Sequence, residues 1–175
     1  VEAVFTFRSA FYPQNFEYSG VPAYCIEVSL TNRAQEAVTV EAFFGLPLPD
    51  FAPVPDGLRA MTPITFPTGI DHAGIDGLTF EQVIAGDHAV ADLSGALPCL
   101  RAAVALQAGE RRVVRFFHAG FIAQATLNQQ GRALRFGYTT RWTDASDALR
   151  WLREHHTDVV RKGAVFEQTI LAATV

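Results

Sequence analysis

The five histidines are the first side chains to test for metal chemistry. No two of them stand one residue apart on a predicted strand or four residues apart on a predicted helix, the spacings that direct two imidazoles at one ion. The adjacent pair His155 and His156 points to different faces of a helix. The sequence therefore predicts no metal site and no cofactor. The histidines are His72, His88, His118, His155 and His156.

The stretch GIDHAGIDG, residues 69–77, is the most polar and glycine-punctuated part of the chain. Its side chains Asp71, His72 and Asp76 are candidates for the rim of a sugar site or for loose cation binding. The Asp-x-Asp-x-Asp order of a calcium loop is missing. Because Asp and Gly favour turns, a solvated turn is the simpler interpretation, and a substrate rim is the functional alternative.

No other constellation indicates catalysis. The sequence has no G-x-S-x-G elbow, Walker loop or Rossmann glycine run, and no pair of acids is marked out for glycoside hydrolysis. The acids near the end of the chain have the spacing of exposed helical ion pairs: Asp147 and Glu154 with Arg150, and Asp158 with Lys162. We therefore predict no catalytic residue in this chain.

Four aromatic side chains are candidates for an interface. The chain has 14 Phe, and Phe43, Phe116 and Trp142 fall out of phase with the predicted core faces of their strands. An outward-facing apolar side chain in a sheet normally has something packed over it. We therefore predict that these three and Trp151 contact a neighbouring domain. A platform for sugar rings is the alternative.

The composition predicts a folded globular protein. Of the 175 residues 49% are apolar and 18% are charged, with a net charge of -4, which is unlike a disordered chain. No basic run interleaves with aromatics, so nucleic acid is not a predicted partner. No apolar run reaches the roughly 20 residues that span a bilayer.

The cysteines indicate the redox environment of the protein, and the basic residues indicate the type of genome that encodes it. Cys25 and Cys99 are too few for a disulfide scaffold, so we predict two free thiols in a reducing cytoplasm. Of the 14 basic residues only Lys162 is a lysine, which is typical of a GC-rich bacterial genome.

Alternation of apolar and polar residues marks the strands. It runs through residues 23–44 on both sides of a polar TNRAQE turn, and through 102–118 around QAGE. Similar strand pairs are predicted at 78–93 and 125–142, and one more strand opens the chain. Each pair is interpreted as a hairpin. Together they predict an all-β fold: a two-sheet, supersandwich-like antiparallel β-sandwich.

Residues 45–77 interrupt this pattern with many prolines. Proline cannot donate to a β-ladder, so the stretch is predicted to be a long loop or a set of edge segments rather than a central strand.

The spacing of the apolar residues changes after residue 142, from the alternation of a strand to the spacing of a helix. Thr143 or Asp144 predicts a helix N-cap, Gly163 predicts the end of that helix, and a second helix would start at Ala164. We predict that residues 1–142 form the sandwich and that 143–175 form a helical linker to a downstream domain absent from this chain. The apolar stripe of the first helix is Ala148, Leu149, Trp151, Leu152, His155, Val159 and Val160.

Three stretches of the chain, in order, carry a family resemblance. They are VPAYCIEVSLTNRAQEAVTVEAFFGLP, AAVALQAGERRVVRFFHAGF and YTTRWTDASDALRWLREHHTDVVRKGAVFEQTIL. The chain resembles the N-terminal β-sandwich of glycoside hydrolases of the bile-acid β-glucosidase or non-lysosomal glucosylceramidase type. The family's N-terminal domain is usually longer, so this chain departs from it in length.

The resemblance implies a supporting role. In that family the catalytic carboxylates lie in a downstream (α/α)6 barrel, so none is carried over to this chain, which alone is expected to be inactive. The implied partners are the barrel in the same chain and, through the parent enzyme, a carbohydrate substrate. The alternative is a free-standing carbohydrate-binding or protein-binding sandwich.

Overall fold

The computed structural model describes residues 1–12, 15–48, 50–64, 78–123, 125–127 and 132–173. The candidate rim residues Asp71, His72 and Asp76 lie outside these ranges. The described strands are β1 (Glu2–Ser9), β2 (Ala23–Thr31), β3 (Val38–Phe44), β4 (Ala52–Val54), β5 (Gly57–Pro63), β6 (Thr79–Gly86), β7 (Val90–Asp92), β8 (Cys99–Leu106), β9 (Arg111–Phe121), β10 (Ala125–Leu127) and β11 (Arg132–Leu134). The helices are α1 (Phe16–Ser19), a 3-10 turn (Gly137–Thr140) and α2 (Ala145–Ala173).

Nine of these strands form two antiparallel sheets. The larger sheet has the order β1-β2-β9-β6-β5-β4 and the smaller one the order β3-β8-β7, while β10 and β11 pair with each other. The predicted two-sheet antiparallel β-sandwich with a helical C-terminal segment is confirmed.

The predicted pairing of successive strands is wrong in three places. β2 and β3, β6 and β7, and β8 and β9 were each expected to form a hairpin, but each pair divides between the two sheets. Alternation identifies a strand with one buried face and carries no information about its hydrogen-bonded partner. Of the predicted pairs, only the last, now β10 and β11, is paired as expected, and β4 and β5 form a hairpin that was not predicted.

The chain forms two compact units. The first unit comprises Val1–Ser9, Tyr24–Ala60 and Val83–His118, and the second comprises Ala10–Ala23, Met61–Gln82 and Ala119–Val175.

The first unit has a mainly aliphatic core that also contains the rings of Phe51 and Phe116. Phe116 is 1% exposed and its ring centre lies 5.5 Å from that of Phe44. The prediction that Phe116 faces outward is therefore wrong: Val114 and Phe116 supply the inner face of β9. Gly86 permits this packing, since a β-carbon there would lie 2.9 Å from the Phe116 ring. The buried core is Ile26, Val28, Leu30, Phe51, Leu58, Ala60, Ile84, Leu100, Ala102, Val104, Leu106, Val114 and Phe116.

The proline-rich stretch contains an inner strand. β5 lies between β6 and β4, and its Leu58 and Ala60 are buried. The prediction of loop or edge structure is correct for residues 45–48 and for β4, the edge strand that carries Pro53, and wrong for β5, while residues 65–77 lie outside the described residues. Pro55 and Pro63 flank the buried part of β5, where they remove no ladder hydrogen bond from its centre.

A buried asparagine joins two of the connections between the sheets. The side-chain amide of Asn32, which is fully buried, donates to the carbonyl oxygens of Glu36 at 2.8 Å, Gln107 at 3.0 Å and Leu106 at 3.3 Å. Its side-chain oxygen accepts from the backbone N–H of Ala34 at 2.9 Å. One side chain thus fixes both the turn after β2 and the turn after β8.

The backbone of Asn32 makes the same connection. Its N–H donates to the carbonyl of Glu110 at 2.9 Å, and its carbonyl accepts from the N–H of Gly109 at 3.1 Å. Gly109 has φ +73°, a left-handed conformation that glycine adopts without strain. The TN and GE turns of the sequence therefore form one hydrogen-bonded cluster.

In the second unit, α2 begins at a set of carboxylates. Asp144 Oδ1 accepts from the N–H of Asp147 at 2.8 Å, and Asp147 Oδ2 accepts from the N–H of Thr143 at 3.1 Å. The buried Glu81 of β6 accepts from the N–H of Ala145 at 3.1 Å. The expected cap at Thr143 or Asp144 is confirmed, with Asp144 as the capping side chain.

The predicted helix end at Gly163 is wrong, because α2 runs without interruption for 29 residues to Ala173. A glycine inside a helix costs only about 1 kcal/mol, and the good helix formers around Gly163 offset it. The buried face matches most of the predicted stripe, with His156 buried in place of His155. From residue 164 onward α2 is exposed except at Phe166. That residues 143–175 lead into a further domain stays a prediction.

Candidate functional site

An open pocket of about 480 Å³ lies in the second unit. This volume is in the range of small-ligand sites. Aromatic rings, small residues and one cation make up its described lining. The lining residues are Phe16, Gly20, Gly137, Tyr138, Thr140, Arg141 and Trp142.

Helix α1 presents Phe16 to this pocket. Asn15 caps the helix, because its Oδ1 accepts from the N–H groups of Glu17 at 3.0 Å and Tyr18 at 3.3 Å. Tyr18 is buried, so α1 is anchored on one side, while Phe16 at its first position is 81% exposed. An apolar ring held so far into solvent by a fixed helix is available to a ligand.

Tyr138 is held rigidly in the same pocket. Its hydroxyl donates to the carbonyl of Ile122 at 3.2 Å and accepts from the N–H of Ile122 at 3.1 Å. Its ring centre lies 5.0 Å from Phe121 and 5.4 Å from Phe136. Burial raises the pKa of the Tyr138 hydroxyl, so the group stays protonated at neutral pH.

Arg141 supplies the charge of the pocket. It is exposed and makes no side-chain hydrogen bond or ion pair with any residue that the structure describes. Thr140 adds a hydroxyl, which donates to the Gly137 carbonyl at 2.8 Å and retains lone pairs for a ligand. The described lining contains no carboxylate, so the pocket suits a neutral polar or an anionic ligand with an apolar face.

Trp142 and Trp151 lie together in the second unit. Their ring centres are 5.8 Å apart, and Trp151 also contacts Tyr18 at 5.3 Å and stacks on His155 at 4.5 Å. Trp142 is only 4% exposed, so the prediction that it faces outward is wrong. It contributes to the pocket lining and to an aromatic cluster that holds α2, while Trp151 is half-buried in that cluster.

Phe43 is the predicted interface residue that does face solvent. It lies on the edge strand β3 of the first unit and is 56% exposed. Its neighbour across the strands is Arg101, which pairs with Glu41 at 2.9 Å and Asp92 at 3.5 Å. An aromatic ring among charged side chains forms a small exposed patch on the outer face of the smaller sheet.

The pocket residues Phe16, Tyr138 and Arg141 were not identified from the sequence. The usable signals were local: Asn15 and Phe16 form a cap followed by an apolar first helical residue, and Arg141 precedes the singled-out Trp142. Neither signal brings residues 16 and 141 into one pocket, because that depends on tertiary structure.

A short polar cluster joins α2 to α1 in the second unit. The Tyr18 hydroxyl and Arg161 donate to Asp158, and Lys162 lies 3.1 Å from the same carboxylate and 3.5 Å from the centre of the Tyr18 ring. The hydrogen bond from Tyr18, followed by those from Arg161 and Lys162, holds the pKa of Asp158 well below its usual value. The predicted pair of Asp158 with Lys162 is confirmed, as is that of Asp147 with Arg150 at 2.6 Å.

Two groups of the first unit, Cys25 and His118, have large pKa shifts that burial causes. Burial raises the pKa of the Cys25 thiol to about 12 and lowers that of His118 to about 4, so both are neutral at pH 7. Cys25 and Cys99 are free thiols, as predicted. Among the residues that the structure describes, no three His, Cys, Asp or Glu side chains are grouped as a metal ion would need.

Along the described parts of the chain, no helix has the length and apolar character needed to cross a bilayer. No protein-family model matches the chain, and no curated protein is significantly similar to it in sequence.

Proposed function

We propose that this chain is the non-catalytic N-terminal domain of a bacterial, cytoplasmic glycoside hydrolase and supports a downstream (α/α)6 catalytic barrel. The observation that carries the proposal is the solvent-exposed final part of α2, where the apolar Val165 lies among exposed residues. An exposed apolar side chain on a regular helix is typical of a surface that another element covers. The exposed Phe43 of β3 supports a covering partner on the first unit as well.

Two of the described carboxylates, one in each unit, are held in ion pairs, which supports a non-catalytic role for them. Glu27 of the first unit pairs with Arg8 at 2.5 Å and Arg115 at 3.3 Å, and Asp158 of the second is held by Tyr18 and two basic residues. Glycoside hydrolysis needs one acid poised to donate a proton and a second carboxylate facing it. Carboxylates committed to ion pairs and helix caps do not provide that arrangement.

The proposal is tested with the product of the full reading frame and with the 175-residue chain, both assayed on a panel of aryl glycosides. We expect turnover by the longer product and none by the chain alone. Within the longer product, Val165→Asp should lower the melting temperature, because it places a charge in the interface, whereas Gln168→Asp on the same exposed part of α2 should not. Turnover by the chain alone, or a reading frame that ends at Val175, contradicts the proposal.

A second candidate, a free-standing carbohydrate-binding or protein-binding module, is favoured by the pocket in the second unit. The C–H face of a sugar ring packs on aromatic side chains, and its hydroxyls accept hydrogen bonds from a guanidinium. Phe16 and Tyr138 provide rings, and Arg141 provides donors that no described residue uses. A peptide would instead need a longer groove than these residues form.

Calorimetric titration with mono- and oligosaccharides tests this candidate. Phe16→Ala and Arg141→Gln should each weaken binding about tenfold, since each removes one principal contact. Phe43→Ala, which removes an exposed ring from the first unit, is the matched control and should bind as the unchanged protein does. Absence of binding to the whole panel, or equal loss in the control, rejects the carbohydrate function.

A further inference from the structure

Strand β1 is an open edge of the larger sheet. It pairs with β2 along its whole length, from Glu2 opposite Thr31 to Ser9 opposite Tyr24, and it stands at the end of the order of described strands. In an antiparallel strand every second residue directs its N–H and C=O away from the neighbour. Over the eight residues of β1 this leaves a row of backbone groups to which no described strand is paired.

The opposite edge of the same sheet is protected. β4 has only three residues and includes Pro53, which has no N–H to offer. β1 contains no proline, and its only charged residues, Glu2 and Arg8, lie near its two ends. Of the two edges, β1 is the one that can accept another strand.

β1 also exposes two aromatic rings on the inner face of the sheet. Phe5 lies opposite Val28 and Phe7 lies opposite Ile26, and residues directly opposite each other share a face. Val28 and Ile26 belong to the buried core, yet Phe5 is 63% and Phe7 is 71% exposed. The apolar inner face therefore continues onto β1, where it reaches solvent.

We propose that β1 pairs antiparallel with β1 of a second copy of this chain, about a two-fold axis at Phe5. In this register Phe5 faces Phe5 of the second copy, and Ala3 faces Phe7, so a small residue meets a large one. Glu2 faces Arg8 of the second copy, which gives opposite charges at both ends of the strand. The two six-stranded sheets then form one sheet of twelve strands.

The charges next to β1 fit this arrangement. Glu2 pairs with Arg33 at 2.7 Å and Arg8 pairs with Glu27 at 2.5 Å within one copy. Across the two-fold axis, Glu2 of one copy therefore lies between Arg33 of the same copy and Arg8 of the second copy. This Arg8 in turn lies next to Glu27 of the second copy. The signs alternate along this row, so no like charges are brought together.

A second copy is favoured over a helical or irregular partner for two reasons. Only a strand provides the alternating donors and acceptors that the open edge requires. When the sequence EAVFTFR is aligned antiparallel with itself about Phe5, a small residue lies opposite a large one and an acid lies opposite a base. A strand that is complementary to itself in this way specifies a two-fold partner. The inference is independent of the proposed function, because it rests on β1 alone.

Sedimentation velocity of the 175-residue chain over a wide concentration range tests the proposal, and a reversible monomer–dimer equilibrium is expected. Phe5→Lys places two like charges at the symmetry axis and should raise the dissociation constant at least about tenfold without unfolding a residue so exposed. Phe43→Lys makes the same change on the edge strand β3 and should leave the equilibrium unchanged. A monomer at all concentrations, or equal effects of both variants, overturns the proposal.

Cysteine cross-linking tests the register. In a Cys99→Ser background, with Cys25 buried, Phe5→Cys should form an intermolecular disulfide on mild oxidation, because position 5 faces itself. Phe7→Cys should not, because it faces Ala3. Equal cross-linking at both positions, or cross-linking at neither, overturns the register and with it the two-fold axis at Phe5.

Discussion

Asn32 in the first unit and Asn15 in the second show how differently the two units use the same side chain. Asn32 is fully buried, and its amide group donates to three carbonyls in two turns. Asn15 is half-buried, and towards the described residues its side chain uses only its oxygen, as the cap of α1. Water therefore cannot replace the partners of the buried Asn32, whereas it can replace those of Asn15 at the N-terminus of α1.

The largest expected effect comes from the same substitution at these two asparagines. Asn32→Asp removes the donors and buries a negative charge among carbonyl oxygens, so it should lower the free energy of unfolding by about 4 kcal/mol. Asn15→Asp keeps an acceptor at a helix N-cap and should change it by less than about 0.5 kcal/mol. Urea denaturation followed by circular dichroism measures both. Similar losses of stability in the two variants would show that the burial of Asn32 does not make it more important than Asn15.

His118 of the first unit is partly buried, and its contribution to stability should depend on pH. Its folded pKa of about 4 lies below the ordinary value of 6.5, so the unfolded chain binds more protons between these values. Stability should therefore fall as the pH drops from 6.5 towards 4, by up to about 3 kcal/mol. His118→Gln should flatten this part of the profile, and His88→Gln, at an exposed turn, should not. If the unchanged protein and both variants had the same dependence of stability on pH, His118 would not be the group responsible.

Glu81 is a buried carboxylate in the second unit, so this unit also has a polar contact that water cannot replace. Its oxygen caps Ala145 at the N-terminus of α2, so Glu81→Gln should lower the free energy of unfolding by about 1 kcal/mol through lost charge. Asp144→Asn also replaces a carboxylate by an amide, at the partly exposed N-cap of α2. Because Asp and Asn are about equally favourable N-cap residues, this substitution should have little effect on stability. Thermal melts of both variants provide the measurement. A larger loss for Asp144→Asn would contradict this account.

The smallest effect is expected at Asp158. Its pKa is depressed, so its contribution to stability is present above the ordinary carboxyl value of about 4 and is lost as the pH falls below it. Asp158→Asn should therefore lower the melting temperature slightly at pH 7, and the two proteins should converge in acid and in high salt. The isosteric amide keeps the side-chain volume. A difference that persists in acid would show that the charge is not responsible.

The sequence predicts the strands of the sandwich better than it predicts their partners. Alternation around residues 23–44 and 102–118 depends on one buried face, which the fold provides whichever strand lies alongside. Sheet membership depends on Asn32 and the turn after β8, contacts between residues about 75 positions apart. The cap at Asp144 was predictable because it is local, and Gly163 misled because one glycine is a weak signal in a long helix.

The candidate site was predicted only in part. Trp142 was singled out, but an exposed role was assigned to it because its phase was taken from a strand that ends before it. Phe16 and Arg141 lie 125 positions apart in the sequence, and no periodicity links them. A pocket formed by a short helix and a 3-10 turn leaves no alternating or helical pattern in the sequence.

The contact between Trp142 and Trp151 has an optical consequence. The chain has only these two tryptophans, and their rings lie 5.8 Å apart at 70°, close enough for their electronic transitions to couple. The folded protein should therefore show a paired positive and negative ellipticity band from indole exciton coupling. Loss of that band on heating would report the melting of the second unit alone, without any attached dye.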